Sequence, residues 1–585
     1  MKTWKRDGLA LALVLVLSGC GGSSGGGSSK APGGGTLAPP APTQLPELSG
    51  LSSDADVHGR LFYSSTESGK RGLFAYHPER QQSELVDSTP YLNGHLTSLH
   101  PIHRADVAAD GVTLSNLMID QVLYFRHQSN NWVPDQLVRV ATDPTPLAVE
   151  REQVSSASAN LIDAVSDLQV FQYDLSDPLQ TAYAFKLGSG GNARWQQLRL
   201  GTTAQQAPLS FAAGHRVVST VLDPSSLKPG GWLVVDAQRK LKQVTMDGTV
   251  LPEVLAVDID EVVLLETFRD GSQLLVMAGE DDAAGVLWRY RPGADSNTAG
   301  SATDLRNVAG EQLLFPRSLW SDALAVPGDN HRTLDGDDFY IATTSPGLLI
   351  TTDAQLYRIS RNGWEQLLSL GSADVMDFQN HAVLGNFLVA SNGHLLWTLN
   401  GAIEKVSKTA PYSRSVWVEA VDGAFDALPE LVARRDGWLF FNRRLTHDDY
   451  QAIAMHEGGQ PSVLLPDTRW VGASTSGRGT LLGNLSDLEI SEVFFWDAAA
   501  KEVGAVEASA PLQGRVRLGT LPDSVTEVNM SNVGAGPHRL LQLVHGNRYE
   551  VVAVDTRATD SMVHLLDQLA AGEQDAFLTR PVSGF

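Results

Sequence analysis

From about residue 50 onward the chain repeats one local pattern. A short apolar strand is followed by a polar turn, a second strand carrying an aromatic residue, another polar turn and a third apolar strand. The clearest copy is LLITTDAQLYRISRNGWEQLLSL at 348–370. A second, FLVASNGHLLWTLNGAIEKV at 387–406, turns on Asn392-Gly393, a pair suited to a two-residue hairpin because both positions tolerate positive φ. Looser copies run over 61–86, 274–292, 438–465, 481–506 and 540–556, with three weaker ones at 113–140, 168–200 and 217–245.

The second strands fall about 40 to 70 residues apart, a period that belongs to β-propellers, whose blades are four-stranded sheets of roughly 40–50 residues. The expected fold is therefore all-β: a propeller of about seven or eight blades, with some weaker copies as insertions inside blades. Two packed propellers, or another all-β repeat array, are the alternatives. Helical spacing is almost absent; only 560–572 carries it, at Met562, Leu565, Leu566 and Leu569 behind Asp560, and that segment reads equally as a hairpin strand. A hydrophobic fraction of 42% is ample for a core, while 54 Gly and 28 Pro supply the turns. There is no run of Trp-Asp blade endings, no paired-glycine kelch pattern, no sialidase box and no quinoprotein repeat, so no named propeller family is matched.

The N-terminus has a different character. Lys2, Lys5 and Arg6 precede the apolar run Leu9–Leu17, which is too short to span a membrane and reads as the core of a signal peptide over 1–19. It ends in Leu17-Ser18-Gly19-Cys20, and Cys20 is the only cysteine. The segment resembles the lipobox of bacterial lipoproteins. That resemblance implies cleavage before Cys20, acylation of its thiol and, with Gly21 rather than Asp next, anchorage in the outer membrane, facing the periplasm or the outside. Residues 20–47 form a Gly/Ser/Pro-rich tether with a span on the order of 30 Å, and 48–585 the propeller-like body. A net charge of −23 disfavours nucleic acid and anionic lipid surfaces, so attachment to the membrane falls to the acyl chains.

Linear catalytic motifs are missing. From residue 48 onward Gly-x-Ser-x-Gly is absent, 472–477 (GASTSG) has the wrong spacing for a nucleophile elbow, and no His-Glu-x-x-His occurs. His100-Pro101-Ile102-His103 with Asp106 brings two imidazoles near a carboxylate, but the proline suggests a polar turn. His447-Asp448-Asp449 reads as a solvated loop. Asp335-Gly336-Asp337-Asp338, after Gly328-Asp329-Asn330-His331, offers hard oxygens of the kind Ca²⁺ takes, without the full calcium-loop spacing. Trp288, Trp397 and Trp496 sit inside predicted strands and read as core, whereas Trp364 and Trp470 lie nearer turns, where a ring can be offered to a ligand. No catalytic, cofactor-binding or metal-ligating residue is assigned; Cys20 is the one modified position. The functional expectation is a lipid-anchored envelope protein whose propeller is a protein-interaction scaffold. The alternatives are a carbohydrate- or small-ligand-binding surface lipoprotein, or a propeller hydrolase or lyase with residues drawn from different blades.

Overall fold

A computed structural model describes residues 43–52, 59–65, 72–88, 99–109, 113–126, 136–141, 151–156, 169–171, 182–187, 194–199, 205–212, 215–223, 229–255, 257–268, 270–282, 284–316, 339–344, 354–360, 363–370, 388–391, 394–399, 402–418, 430–445, 449–457, 462–482, 484–530, 537–546 and 548–566. The chain divides into two compact units, 1–35 and 36–585, the first wholly outside the described residues. So are Cys20, the acidic loop at 328–338, His447 and Asp448.

Among the described residues the structure is nearly all β, with 39 strands, no α-helix and a single 3-10 turn at Pro78–Arg80. The strands form ten antiparallel meanders in chain order: 61–87, 99–156, 169–212, 216–255, 261–316, 339–370, 388–418, 430–466, 468–520 and 527–566, called here sheets one to ten. Each of the ten hairpins read from the sequence falls in its own meander. The three weaker copies are therefore not insertions inside blades: 113–140, 168–200 and 217–245 build sheets two, three and four. Their turn spacing was sufficient; what made them look weak is the polar content of strands such as Arg194–Arg199 (RWQQLR).

Many turns are set by one device. The side chains of Asp236, Asp247, Asp270, Asp295, Asn307 and Asp555 each accept a hydrogen bond from the backbone N–H two residues on, at 2.8–3.1 Å. Short acceptor side chains shape a turn in this way, so part of the chain's acidity is structural.

Several central strands are apolar at every position rather than at alternate ones. Successive side chains leave a strand on opposite faces, so such runs require a sheet buried on both sides. In sheet ten, Val551 packs with Leu61, Tyr63 and Tyr76 of sheet one, whereas Val552 packs with Phe494 and Val516 of sheet nine. Phe494 and Phe495 divide likewise between sheets ten and eight, and Leu439 and Phe440 between seven and nine. Each such fully buried side chain contributes about 1.5–3 kcal/mol. Apolar clusters join sheets four to five, five to six, seven to eight, eight to nine, nine to ten, ten to one and one to two. Between six and seven, Tyr412 donates its hydroxyl to Glu365. The last sheet is thus the neighbour of the first.

Two hairpins are longer than the rest. Leu99–Val107 with Thr113–Arg126 belongs to sheet two, and Thr468–Leu482 with Asn484–Asp497 to sheet nine. Both are the first hairpin of their meander, and they meet edge to edge, Gly479 opposite Leu114 and Thr480 opposite Thr113, fusing the two meanders into one eight-stranded sheet. At Gly477 (φ 73°) an added Cβ would lie 3.0 Å from the Leu117 carbonyl oxygen, so glycine meets both a left-handed backbone and a close approach there.

The end of the expected tether is docked on the body. Thr43 N–H donates to Leu464 O (2.8 Å), Leu48 N–H to Arg515 O (2.8 Å), Arg515 N–H to Pro46 O (2.8 Å) and Leu51 N–H to Thr556 O (2.9 Å). Leu45 packs on the core between sheets eight and nine, and Leu48 on that between nine and ten. Residues 43–51 thus lie against sheets eight, nine and ten.

Candidate functional site

The pleat of sheet ten gathers three polar side chains on one face. His545 ends strand His538–His545, and Glu550 lies just past the tight turn in Arg548–Asp555, diagonal to His545 in the register. His564, in Val563–Leu566, stands opposite Val552 and so on the same face. A fourth group, Ser524, comes from the turn joining Arg515–Thr520 of sheet nine to Glu527–Met530 of sheet ten. Leu521 and Val525, both buried in the core between these sheets, hold that turn, and Val525 N–H donates to Pro522 O (3.0 Å).

Ser524 Oγ lies 2.9 Å from His545 Nδ1, and His545 Nε2 lies 3.2 Å from Glu550 Oε2. The other carboxylate oxygen, Oε1, is bonded to His564 Nδ1. The His545 side chain is 3% exposed and that of Glu550 10%, whereas Ser524 and His564 reach solvent. An ionised carboxylate only accepts, so the proton of a neutral His545 sits on Nε2 and the Nδ1 lone pair faces the serine hydroxyl. No linear motif announces this set, because it is assembled by a turn, a hairpin and a neighbouring strand.

A second polar node lies deeper between the same two sheets. Glu492 is buried; Ser474 and Ser491 (2.9 Å) donate to its Oε2, and Thr556 to its Oε1 (3.3 Å). Arg539, 3% exposed, is lowered from the usual arginine range by burial, and the negative charge of Glu492 opposes that. Beside it, burial pushes His538 down to about 4, against the pull of Asp555 and with the help of Arg557 and Arg539. Burial would raise Asp555, but its hydrogen bonds from Arg557 outweigh this and hold it below the usual carboxylate value.

Because the folded value of His538 lies below its ordinary 6.5, the unfolded chain takes up a proton between about pH 6.5 and 4 that the folded chain does not. Its contribution is present above pH 6.5 and is lost as pH falls through that window, by up to about 3 kcal/mol. Urea denaturation of wild type and His538→Gln at pH 7 and pH 4.5 reads this directly. The wild type loses more stability on acidification than the variant; parallel losses would refute it.

The residues singled out in the sequence are placed as follows. His100, Pro101, His103 and Asp106 lie in the strand Leu99–Val107, not in a turn. Proline is tolerated because, among the described strands, that strand pairs with Thr113–Arg126 alone, leaving its other edge unpaired by them. Asp106 accepts a hydrogen bond from Asn116 (2.6 Å). Asp449 accepts from Leu445 N–H in a loop. Trp470 is buried, Trp496 is core, and Trp288 is partly buried between sheets four and five. Trp397 lies in the strand His394–Leu399. Trp364 packs edge-on to Tyr357 and donates Nε1–H to Glu311 O (3.0 Å), so its ring serves the seam between sheets five and six. Val563–Leu566 is a strand, which settles that part of 560–572 against a helix. Among the described residues no group of three or more His, Cys, Asp or Glu side chains is arranged to hold a metal ion, and no helix is long and apolar enough to cross a membrane.

No family model matches the chain, and no curated protein matches it. Among solved structures it is similar to prolyl oligopeptidase B from Galerina marginata, with 9% identity over 69% of this chain and 52% of that one, at a TM-score of 0.30. It is also similar to the dihydro-heme d1 dehydrogenase NirN (13%, 72% and 83%, 0.29) and to virginiamycin B lyase from Staphylococcus aureus (10%, 54% and 90%, 0.23). The chain spans about half the length of the first of these. Likenesses this distant carry no inference about activity.

Proposed function

We propose that this chain is a lipid-anchored β-propeller of the bacterial cell envelope that serves as a protein-interaction scaffold. The propeller reading is supported by the order of packing: the sheets follow one another from four to ten, on to one and then two, as consecutive blades of one ring would, and with sheet three between two and four the ring would have ten blades, more than the seven or eight anticipated. The anchor rests on the lipobox at Leu17–Cys20.

The observation that carries the scaffold reading is where large apolar side chains are exposed. Of the six exposed large apolar side chains among the described residues, Val257 and Val308 lie outside strands, and Leu85, Val250, Leu314 and Val416 stand on Gln82–Asp87, Val250–Leu255, Leu314–Pro316 and Arg414–Val418. Each of these is a terminal strand with one edge unpaired by any other described strand. Unpaired edges with apolar side chains are surfaces on which another chain can dock.

Photo-cross-linking in cells tests the reading as a whole. Wild type incorporates palmitate and fractionates with membranes, while Cys20→Ser does neither. In the membrane-bound protein a photoreactive residue at 85 or 416 yields a discrete adduct that one at the exposed Glu280 does not. The same adducts at all three positions, or none at 85 and 416, would overturn the scaffold, and palmitate in Cys20→Ser would overturn the anchor.

A further inference from the structure

We propose that Ser524 is an activated nucleophile that accepts acyl groups from exposed carboxylic esters, with His545 as its general base and Glu550 as a positioning residue. The proposal stands on the geometry of sheet ten and is independent of the ring arrangement.

Three features carry it. The hydroxyl is in solvent while the base beneath it is buried, so an ester can approach Oγ but water does not surround the imidazole. The relay Ser524 Oγ, His545 Nδ1, His545 Nε2, Glu550 Oε2 is continuous at 2.9 and 3.2 Å, the nucleophile, base and orienter order that activation of a serine requires. The hydrogen bond from His564 to the other carboxylate oxygen keeps Glu550 turned to this face. Next in the chain to His545, Gly546 (φ 67°) has no atom of the described residues within 4 Å of where a Cβ would stand.

In the reaction Ser524 Oγ forms a bond to the ester carbonyl carbon while its proton passes to His545 Nδ1. The tetrahedral adduct collapses, the C–O bond to the alcohol breaks, and the departing alkoxide takes the proton from Nδ1, leaving acyl-Ser524. Water then attacks the acyl carbon with Nδ1 accepting its proton, and the proton returns to Ser524 as the carboxylic acid leaves. One ester and one water give one alcohol and one acid. Glu550 holds the Nε2–H tautomer throughout and faces the positive charge that forms on the ring.

The test uses the full chain with a fluorophosphonate probe, read by intact mass and peptide mapping, and p-nitrophenyl acetate, read by release of nitrophenolate. One adduct is expected, on Ser524, with a burst of about one equivalent of nitrophenolate. Ser524→Ala, an exposed and conservative change, abolishes both. His545→Gln slows labelling roughly 10²-fold or more. Glu550→Gln lowers the maximal labelling rate while the half-saturating probe concentration stays the same, a split that mere loosening of the turn would not produce. A folded wild type that is not labelled at Ser524, or labelling that survives Ser524→Ala or is unaffected by His545→Gln, would overturn the proposal.

Discussion

Glu492→Gln should destabilise the protein by about 3–5 kcal/mol, the order of the cost of removing one charge from a buried set of interacting charges. The carboxylate sits where Ser474 and Ser491 of sheet nine and Thr556, just past the third strand of sheet ten, all point inward, and buried Arg539 feels its charge. Gln can accept hydrogen bonds in its place but brings no negative charge, so buried Arg539 loses the charge that opposes its desolvation. Adding Arg539→Met removes the buried cation and replaces it with an apolar chain of similar length, so the double variant should regain part of the loss. Denaturant unfolding of wild type, both single variants and the double variant forms a cycle that isolates the pair. Additive losses would show that the two residues do not compensate one another.

Trp470→Ala should cost about 3–5 kcal/mol, as expected when a large ring is removed from a packed core. The ring, 1% exposed, lies edge-on to Phe440 of sheet eight and Phe495 of sheet nine, and Nε1–H donates to Ile453 O (3.0 Å). Its backbone N–H donates to Asn442 Oδ1 (2.7 Å), and Asn442 returns a hydrogen bond to Trp470 O (2.9 Å), tying the start of sheet nine to sheet eight. Trp470→Phe keeps much of the packing but leaves the Ile453 carbonyl without its donor, at about 1–3 kcal/mol. Thermal and urea unfolding separate the two. If Trp470→Ala unfolded like wild type, the ring would be a surface feature and the seam would be held by other contacts.

The contrast at Trp470 shows what was legible in the chain and what was not. Its neighbours Pro466-Asp467-Thr468-Arg469 carry turn chemistry, and Asp467 does have positive φ (53°). The turn is so short, however, that the next strand begins at Thr468 and carries the indole into the core. Local pattern was enough for the ten hairpins, because alternation, aromatics and turn residues act within a few positions. It could not show which sheets touch: that Val551 and Val552 face different partners follows from stacking, and the pairing of Gly479 with Leu114 joins segments far apart in the chain. The Ser524, His545 and Glu550 relay was illegible for the same reason, since its members meet only after two sheets have packed. Proline in 100–103 misled in the opposite direction: a rule about turns gave way to the tolerance of a strand edge that no other described strand pairs.

The adjacency of sheets ten and one bears on how the molecule comes into being. Leu61 and Tyr63 are synthesised long before the side chains that cover them, Leu540, Val551 and Ala553. Until then one face of the opening strands stays bare, and Thr556, the acceptor for Leu51 N–H, is equally late. Contacts of such long sequence separation make folding slow and leave intermediates exposed to aggregation. Such a nascent chain cannot finish from its beginning; a truncation that deletes sheet ten would strand the N-terminal strands without a neighbour rather than shorten the protein by one repeat.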